Sequence, residues 1–413
     1  MEEYVREFKE SEKLLTRVKK IIPAGTQTFS KGYKYYPVGA SPLFMEKAKG
    51  CKTWDVDGNE YIDYVMGLGA VSLGYRYPAV DGVIEYQLRK GITFSQPSPL
   101  ELELSESLLE LFPYADMVRF SKTGSSVVEG AIRIAKARTG RNHVAFCGYH
   151  GWHEWFACTT NLPKGTNVML PQYMHRFTYN DIDSLKMILE THTVAAVIME
   201  PVTIELPKPG FLSDVENLTR EHGALLIMDE MVTGFRFHLN GACEFFGIHP
   251  DIATFGKAMA NGMPLGTVIG KKDVMEEFEE CFFSTTYGGE CLSLIASIAT
   301  IHEMGDNNTI EHCWVMGKRL LVGLDLLGIK YKGYGCHPQL VLPDDSPEYK
   351  SLLQQELAQQ GVLIHNGLLI NFCYMHKEDD IDFTIEAFNR AMYAIKNGVT
   401  LKGNVVKPVF KRV

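Results

Sequence analysis

The sequence predicts an α/β protein: a large, mostly parallel β-sheet flanked by helices, with a smaller α+β domain beside it. Three observations carry that expectation. Between about residues 100 and 270, short apolar runs alternate with helical segments, the pattern of repeated βαβ units. The runs are largely apolar throughout rather than alternating, as strands covered on both faces are. The chain is 413 residues long, with 46% hydrophobic and 22% charged residues, enough to bury a large core without disulfides or a structural metal.

Taken in order, residues 1–15 (MEEYVREFKESEKLL) read as a charged amphipathic helix that ends near Ile22-Pro23-Ala24-Gly25. The Gly/Tyr/Pro-rich stretch from Gly32 to Pro42 reads as loop, and WDVDGNEYIDY as a hairpin turning at Asp57-Gly58. Six strands come next: Met117–Phe120, His143–Phe146, Val194–Met199, Ala224–Met228, Ile252–Phe255 and Thr267–Ile269. After Leu292 a long helical stretch leads to a second domain, in which HPQLVL, GVLIH and LLINF read as strands and Phe383–Ile395 as an amphipathic helix. The divisions are set at 1–60, 61–300 and 301–413.

Charge and cysteine usage narrow the partners. With 41 basic against 50 acidic residues the chain carries −9 and has no long basic run, which argues against a nucleic acid or an anionic membrane as its partner. Nine scattered cysteines without a CxxC pair suit reduced thiols in a cytoplasmic protein. No stretch approaches the roughly 18 unbroken apolar residues of a membrane span. His150, His153 and Glu154 lie close together in sequence but lack a metalloprotease helix pattern, so no metal is expected there.

In a sheet of this kind ligands gather beyond the carboxyl ends of the strands. The residues at those ends are Asp229-Glu230, Gly256-Lys257, the stretch Ser121 to Ser126, the stretch Cys147 to Gly151, and Glu200-Pro201. Gly124-Ser125-Ser126 opens a helix whose N-terminal amides suit an anion, although a plain serine cap explains the same residues. Asp229, ending a buried strand, needs a positive partner: a protonated ring nitrogen, or a salt bridge to Arg236. Lys257, among small residues, is a nucleophile if partly desolvated and an ordinary surface lysine if not. An amine for an aldehyde, an acid for a pyridine nitrogen and a helix end for a phosphate together describe pyridoxal 5′-phosphate (PLP). Tyr149 is placed to stack on its ring, or is simply a core tyrosine.

At these residues the chain resembles the class III, fold type I PLP-dependent aminotransferases, and within them the glutamate-1-semialdehyde 2,1-aminomutases. The resemblance runs from IPAGTQTF at Ile22 to KEDDID at Lys377. Its most specific pieces are MVRFSKTGSS, GYHG, MEPV, LLIMDEMVTGFR and PDIATFGKAMANGMPLG. The resemblance implies a cofactor domain with a smaller domain made from the N- and C-terminal segments. It implies that Lys257 forms the Schiff base and shuttles the proton, and that Asp229 keeps the pyridine nitrogen protonated. By the same token Gly124 and Ser125 bind the phosphate, Tyr149 covers the ring, Glu200 stands near the site, and Thr286 reaches the phosphate of a neighbouring subunit. That last role implies a homodimer with sites at its interface.

The chain also departs from the aminomutase pattern. Lys31 stands near the place of a carboxylate-gripping arginine, without the planar fork. The gating loop is replaced by the shorter ACTTNLPKGTNVMLPQYMHR, and no acid stands in HNGLLINF. Lys122-Thr123 and Glu290-Cys291 replace an Asn-Ser and an Asn-Pro pair. A mutase must hold its intermediate behind a gate, whereas a transaminase must release a keto product. The expectation is therefore transamination from an amino-acid donor to a carbonyl acceptor, a sugar or other polar carbonyl compound, with intramolecular 2,1-aminomutation as the alternative. Lys31, His150 and Arg236 are the candidate substrate contacts, and His153, Glu154, His365 and Asn366 the polar residues that suggest a sugar. A retired scaffold is a third reading, against which Lys257 and Asp229 argue.

Overall fold

A computed structural model describes residues 5–407, which form two compact units: residues 5–77 with residues 311–407, and Pro78–Ile310. The first unit opens with the helix Lys9–Val18; the first four residues of the predicted N-terminal helix lie outside the described residues. Strands β1 (Met45–Lys49), β2 (Lys52–Asp55) and β3 (Glu60–Asp63) form an antiparallel meander. The predicted turn at Asp57-Gly58 joins β2 and β3, and Asp55 ties it by accepting the amides of Asp57 and Asn59.

The second unit holds a seven-stranded sheet. Its strands are β4 (Met117–Ser121), β5 (His143–Cys147), β6 (Met174–Arg176), β7 (Val194–Met199), β8 (Leu225–Asp229), β9 (Ile252–Phe255) and β10 (Gly266–Gly270). They lie in the order β4-β10-β9-β8-β7-β5-β6. The four neighbouring pairs from β9 to β6 are parallel, while β10 runs antiparallel to both β9 and β4. Strands β7 and β9 are buried at every position, which is why β7 reads as an unbroken apolar run and β9 as one interrupted only by Thr254. Two apolar layers cover the sheet. One sets Val127, Val128, Ala131 and Ile134 of the helix Gly124–Thr139 against Val144, Ile198 and Ile227. The other sets Leu185, Ile188 and Val215 against Val197, Leu226 and Met228.

In the first unit, β11 (Lys330–Tyr334) and β12 (His337–Val341) form a hairpin, and β13 (Val362–Leu363) adds in parallel to β3. The helix Glu378–Lys396 contains the predicted Phe383–Ile395 segment. LLINF is not a strand. Leu368 takes a left-handed backbone (φ 57°) and its amide turns back to the His365 carbonyl, so only Leu369 bridges to Gln339. The divisions between units also fall elsewhere than at 60 and 300. Residues 61–77 stay with the first unit because β3 pairs there on both sides, Gly50 bridges Tyr75, and the Tyr75 hydroxyl bonds Asp63 at 2.8 Å. Residues 301–306 stay with the second because the helix Cys291–Asp306 runs through residue 300 unbroken.

Candidate active site

Asp229 is the last residue of β8 and is 2% exposed. Its Oδ2 lies 2.8 Å from Nδ1 of His150, and its Oδ1 accepts the Met231 amide at 3.1 Å and the Thr254 hydroxyl at 3.3 Å. His150 is 1% exposed, and its other ring nitrogen lies 3.0 Å from the Cys147 carbonyl. Both ring nitrogens thus lie within hydrogen-bond distance of protein oxygens, and the imidazole, engaged on both sides, fixes the position of the carboxylate. In the sequence His150 is a candidate substrate contact; in the structure both its ring nitrogens are engaged by oxygens of the protein. The neighbouring Glu230 has a different task. It is buried and accepts the amides of Ala242 and Cys243 at 2.8 Å each, and burial raises its carboxyl above the ordinary value.

Lys257 comes just after β9, the strand beside β8, and Thr254 is paired with Asp229 across the two. The lysine is half-buried and has a left-handed backbone at φ 43°, a conformation that costs a non-glycine residue energy and that collects at functional sites. The helix Gly124–Thr139 begins directly after β4, and the Thr123 hydroxyl caps it by accepting the Ser126 amide at 3.1 Å. The amides of Gly124 and Ser125, at the first helical turn, have no intrahelical acceptor. Met231 links these places. A Cβ on Gly124 would meet its sulfur at 2.9 Å, and a Cβ on Gly256 would meet it at 2.5 Å. Gly124 at the helix end and Gly256 beside Lys257 therefore both lie against the side chain of Met231, whose amide bonds Asp229.

The loop after β5 locks onto the same place at three points. The Tyr149 amide donates to Glu200 at 3.3 Å, His150 bonds Asp229, and the Trp152 amide donates to the Ser125 hydroxyl at 3.2 Å. Gly151, at φ 97°, lets the loop approach: a Cβ there would sit 2.3 Å from the Ser125 hydroxyl oxygen. Tyr149 is half-buried, its ring edge-on to Phe156 at 5.4 Å. The Cys147 thiol is pushed up to about 12 by burial and by the charge of Glu200, so it is no nucleophile at neutral pH.

Three further predicted residues have surroundings of their own. Arg236 is buried in this unit and gives its Nε to the Val232 carbonyl at 3.1 Å. Thr286 is exposed on the loop before the helix Cys291–Asp306. Lys31 is exposed in the first unit, at the end of the short turn Phe29–Lys31. Several polar residues that suggest a sugar are held by the protein: Glu154 accepts the Asn167 amide, His365 bonds the Ser30 carbonyl, and Asn366 donates to Gln354.

The sequence marks both Lys122 and Glu290 as unusual without connecting them. The structure pairs them at 2.7 Å, and Glu290 also caps the helix Cys291–Asp306 through the Leu292 and Ser293 amides. Two departures from the aminomutase pattern, 168 residues apart, are one interaction.

The residues fit PLP. A carboxylate locked in a buried site suits a protonated pyridine nitrogen, and uncapped amides kept open by Gly124 suit a phosphate. Comparison with known proteins agrees. The family model for class-III aminotransferases matches residues 35–392. The chain is 32% identical to the 3-aminobutyryl-CoA aminotransferase of Cloacimonas acidaminovorans, over 93% of this chain and 96% of that protein. It is 35% identical to the glutamate-1-semialdehyde 2,1-aminomutase of Alkaliphilus oremlandii, over 93% and 99% of the two chains. The FumI protein of Sphingopyxis sp. MTA144, solved in its PLP internal aldimine form, superposes with a TM-score of 0.90 at 27% identity, covering 94% of this chain and 97% of that one.

Proposed function

The chain belongs to the class-III aminotransferases, fold type I enzymes that use PLP, and from that premise we propose an intermolecular transamination between an amino-acid donor and a carbonyl acceptor. The observation that carries this choice over aminomutation is the segment after the β5 loop. Where a mutase needs a long mobile gate, this segment is short and bonded mainly to itself: Thr159, Thr160 and Thr166 bond the carbonyls of Phe156, Ala157 and Pro163, and the Asn167 amide bonds Glu154. A segment too short to form a long gate favours product release and entry of a second substrate. The relatives carry both activities in their names, so family membership alone does not decide the matter.

In this reading, Gly124 and Ser125 hold the phosphate with their amides, and the helix dipole favours its charge. Asp229, oriented by His150, Thr254 and the Met231 amide, keeps the proton on the pyridine nitrogen. Tyr149 covers one ring face, and Glu200 holds the loop that carries it. Bound there, the cofactor supplies the electron sink that makes loss of the substrate Cα proton possible. Lys257 would anchor the cofactor through its amine and, once that amine is released, would take up the proton leaving the substrate Cα. Lys31 and Arg236 are proposed for substrate carboxylates. Thr286, exposed on its loop, is proposed to reach the phosphate of a second subunit in a homodimer working in the cytoplasm.

The acceptor is a carbonyl compound such as an oxidised sugar; the similarity to a 3-aminobutyryl-CoA aminotransferase makes a 3-oxoacyl thioester the competing class. The test is a half-reaction: the enzyme is mixed with single amino acids, and released keto acid is measured against loss of cofactor aldehyde absorbance. One equivalent of keto acid per site, with recovery of the absorbance on adding one acceptor class, supports the reading. Isomerisation of a single substrate without keto-acid release contradicts it.

A further inference from the structure

Three histidines outside the cofactor site meet at the far side of the sheet. His143 begins β5, His175 lies in the edge strand β6, and His192 comes directly after the helix Ile182–Thr191. Their ligand atoms lie within 4.8 Å of one another, and all three rings are half-buried. Nδ1 of His143 is 2.8 Å from Nε2 of His175, so one of these nitrogens is a lone-pair acceptor and at least one ring of the pair is neutral. The rings of His175 and His192 stack at 3.9 Å, and those of His143 and His192 at 4.8 Å. The cluster is separate from Asp229. It begins at the amino end of β5, and Cys147, whose carbonyl holds His150, is four residues along, about 13 Å at strand rise.

We propose that His143, His175 and His192 bind one transition-metal dication of the zinc type, with solvent completing the coordination. Three imidazoles without a carboxylate, the only such group among the described residues, suit zinc, copper or nickel and not magnesium or calcium, which take oxygen ligands. A tetrahedral zinc with bonds of about 2.0–2.1 Å sets its nitrogens about 3.3 Å apart. The present atoms reach that spacing by moving at most an ångström or so each. Imidazole lone pairs lie in the ring plane, so His175 and His192 must also rotate out of their stack, which half-exposed rings can do. Burial and the neighbouring imidazoles favour the neutral, ligand-competent form: His175 is pushed down to about 4, and His143 is lowered in the same way. A bound ion would tie β6, the exposed edge of the sheet, to β5 and to the start of β7.

The experiment uses the PLP-loaded enzyme, stripped of adventitious metal by a chelator and titrated with Zn²⁺ against a chromophoric chelator. The expected result is one ion per chain, with His175→Ala and His192→Asn each weakening uptake at least tenfold, the lower end of the about 10–100-fold cost of disturbing a metal site. His302→Ala, an exposed histidine outside the cluster, leaves uptake unchanged. Cobalt substitution then reports the donors: d–d bands without a thiolate charge-transfer band are expected. Cofactor absorbance and thermal unfolding without metal show which variants are folded, and either of the two carries the test alone. Absence of uptake, less than tenfold weakening in a folded variant, or a thiolate band that places the ion on cysteine each overturns the proposal.

Discussion

Nδ1 of His150 lies 2.8 Å from Oδ2 of Asp229, with both residues buried, so the acid assigned to the cofactor ring is held by a histidine 79 residues earlier in the chain. His150→Ala leaves a buried carboxylate without its strongest donor. We expect a loss of about 2 kcal/mol in stability, the usual scale for removing a hydrogen bond to a buried charged group. Urea unfolding of the cofactor-free protein measures it, and a change within error would show that Asp229 does not depend on His150.

Asp229→Asn keeps the shape and removes the charge. PLP binding should survive through the phosphate contacts while kcat falls by about 100-fold or more, since an electrostatic contact made to developing charge is lost. A variant with near-normal kcat would remove Asp229 from the ring-nitrogen role.

Gly151→Ala puts a methyl 2.3 Å from the Ser125 hydroxyl at a backbone φ of 97°. The added group must push the Ser125 cradle or the loop aside. The expected result is a drop in kcat/KM of about 100-fold, the scale of an ångström-sized misplacement, with weaker PLP retention on dialysis. Unchanged retention would mean that Ser125 is not part of the phosphate site.

The Lys122–Glu290 pair makes a pH prediction. Burial works against the Glu290 charge, but the contacts with Lys122 and Ser293 outweigh it and hold the carboxyl below its ordinary value. A depressed folded value means that this group adds stability above the unfolded carboxylate pKa and loses it as pH falls through the folded one. Wild-type protein should therefore lose more stability on acidification than Glu290→Gln does. Glu290→Ala should cost about 1 kcal/mol more than Lys122→Met, because it also removes the cap of the helix Cys291–Asp306. Equal acid sensitivity of wild type and Glu290→Gln would contradict the pairing.

Much of the fold is legible because strands covered on both faces must be apolar throughout. β7 and β9 read at their observed limits, and the acid and the lysine stand out as the polar residues at the carboxyl ends of such strands. Direction is not written in apolarity, so the antiparallel course of β10 is not visible in its residues. β6 is a three-residue edge strand, Met-His-Arg, and carries no periodic signal. Leu368, Ile370 and Phe372 of LLINF are apolar because they are buried, not because they lie in a strand. Contacts between distant positions are the hardest to read. His150 with Asp229, Lys122 with Glu290, and His143 with His175 and His192 each need the strand order before their side chains can be seen as neighbours.

The proposed chemistry requires Lys257 to be the covalent anchor of the cofactor at the place where Asp229 and the Gly124 turn converge. Borohydride reduction of the PLP-loaded enzyme, with peptide mass mapping of the product, tests this most directly. The prediction is one reduced cofactor on the peptide containing Lys257, and none in Lys257→Ala, which should still bind PLP without turning over. A label on any other lysine, or full activity in Lys257→Ala, would contradict it.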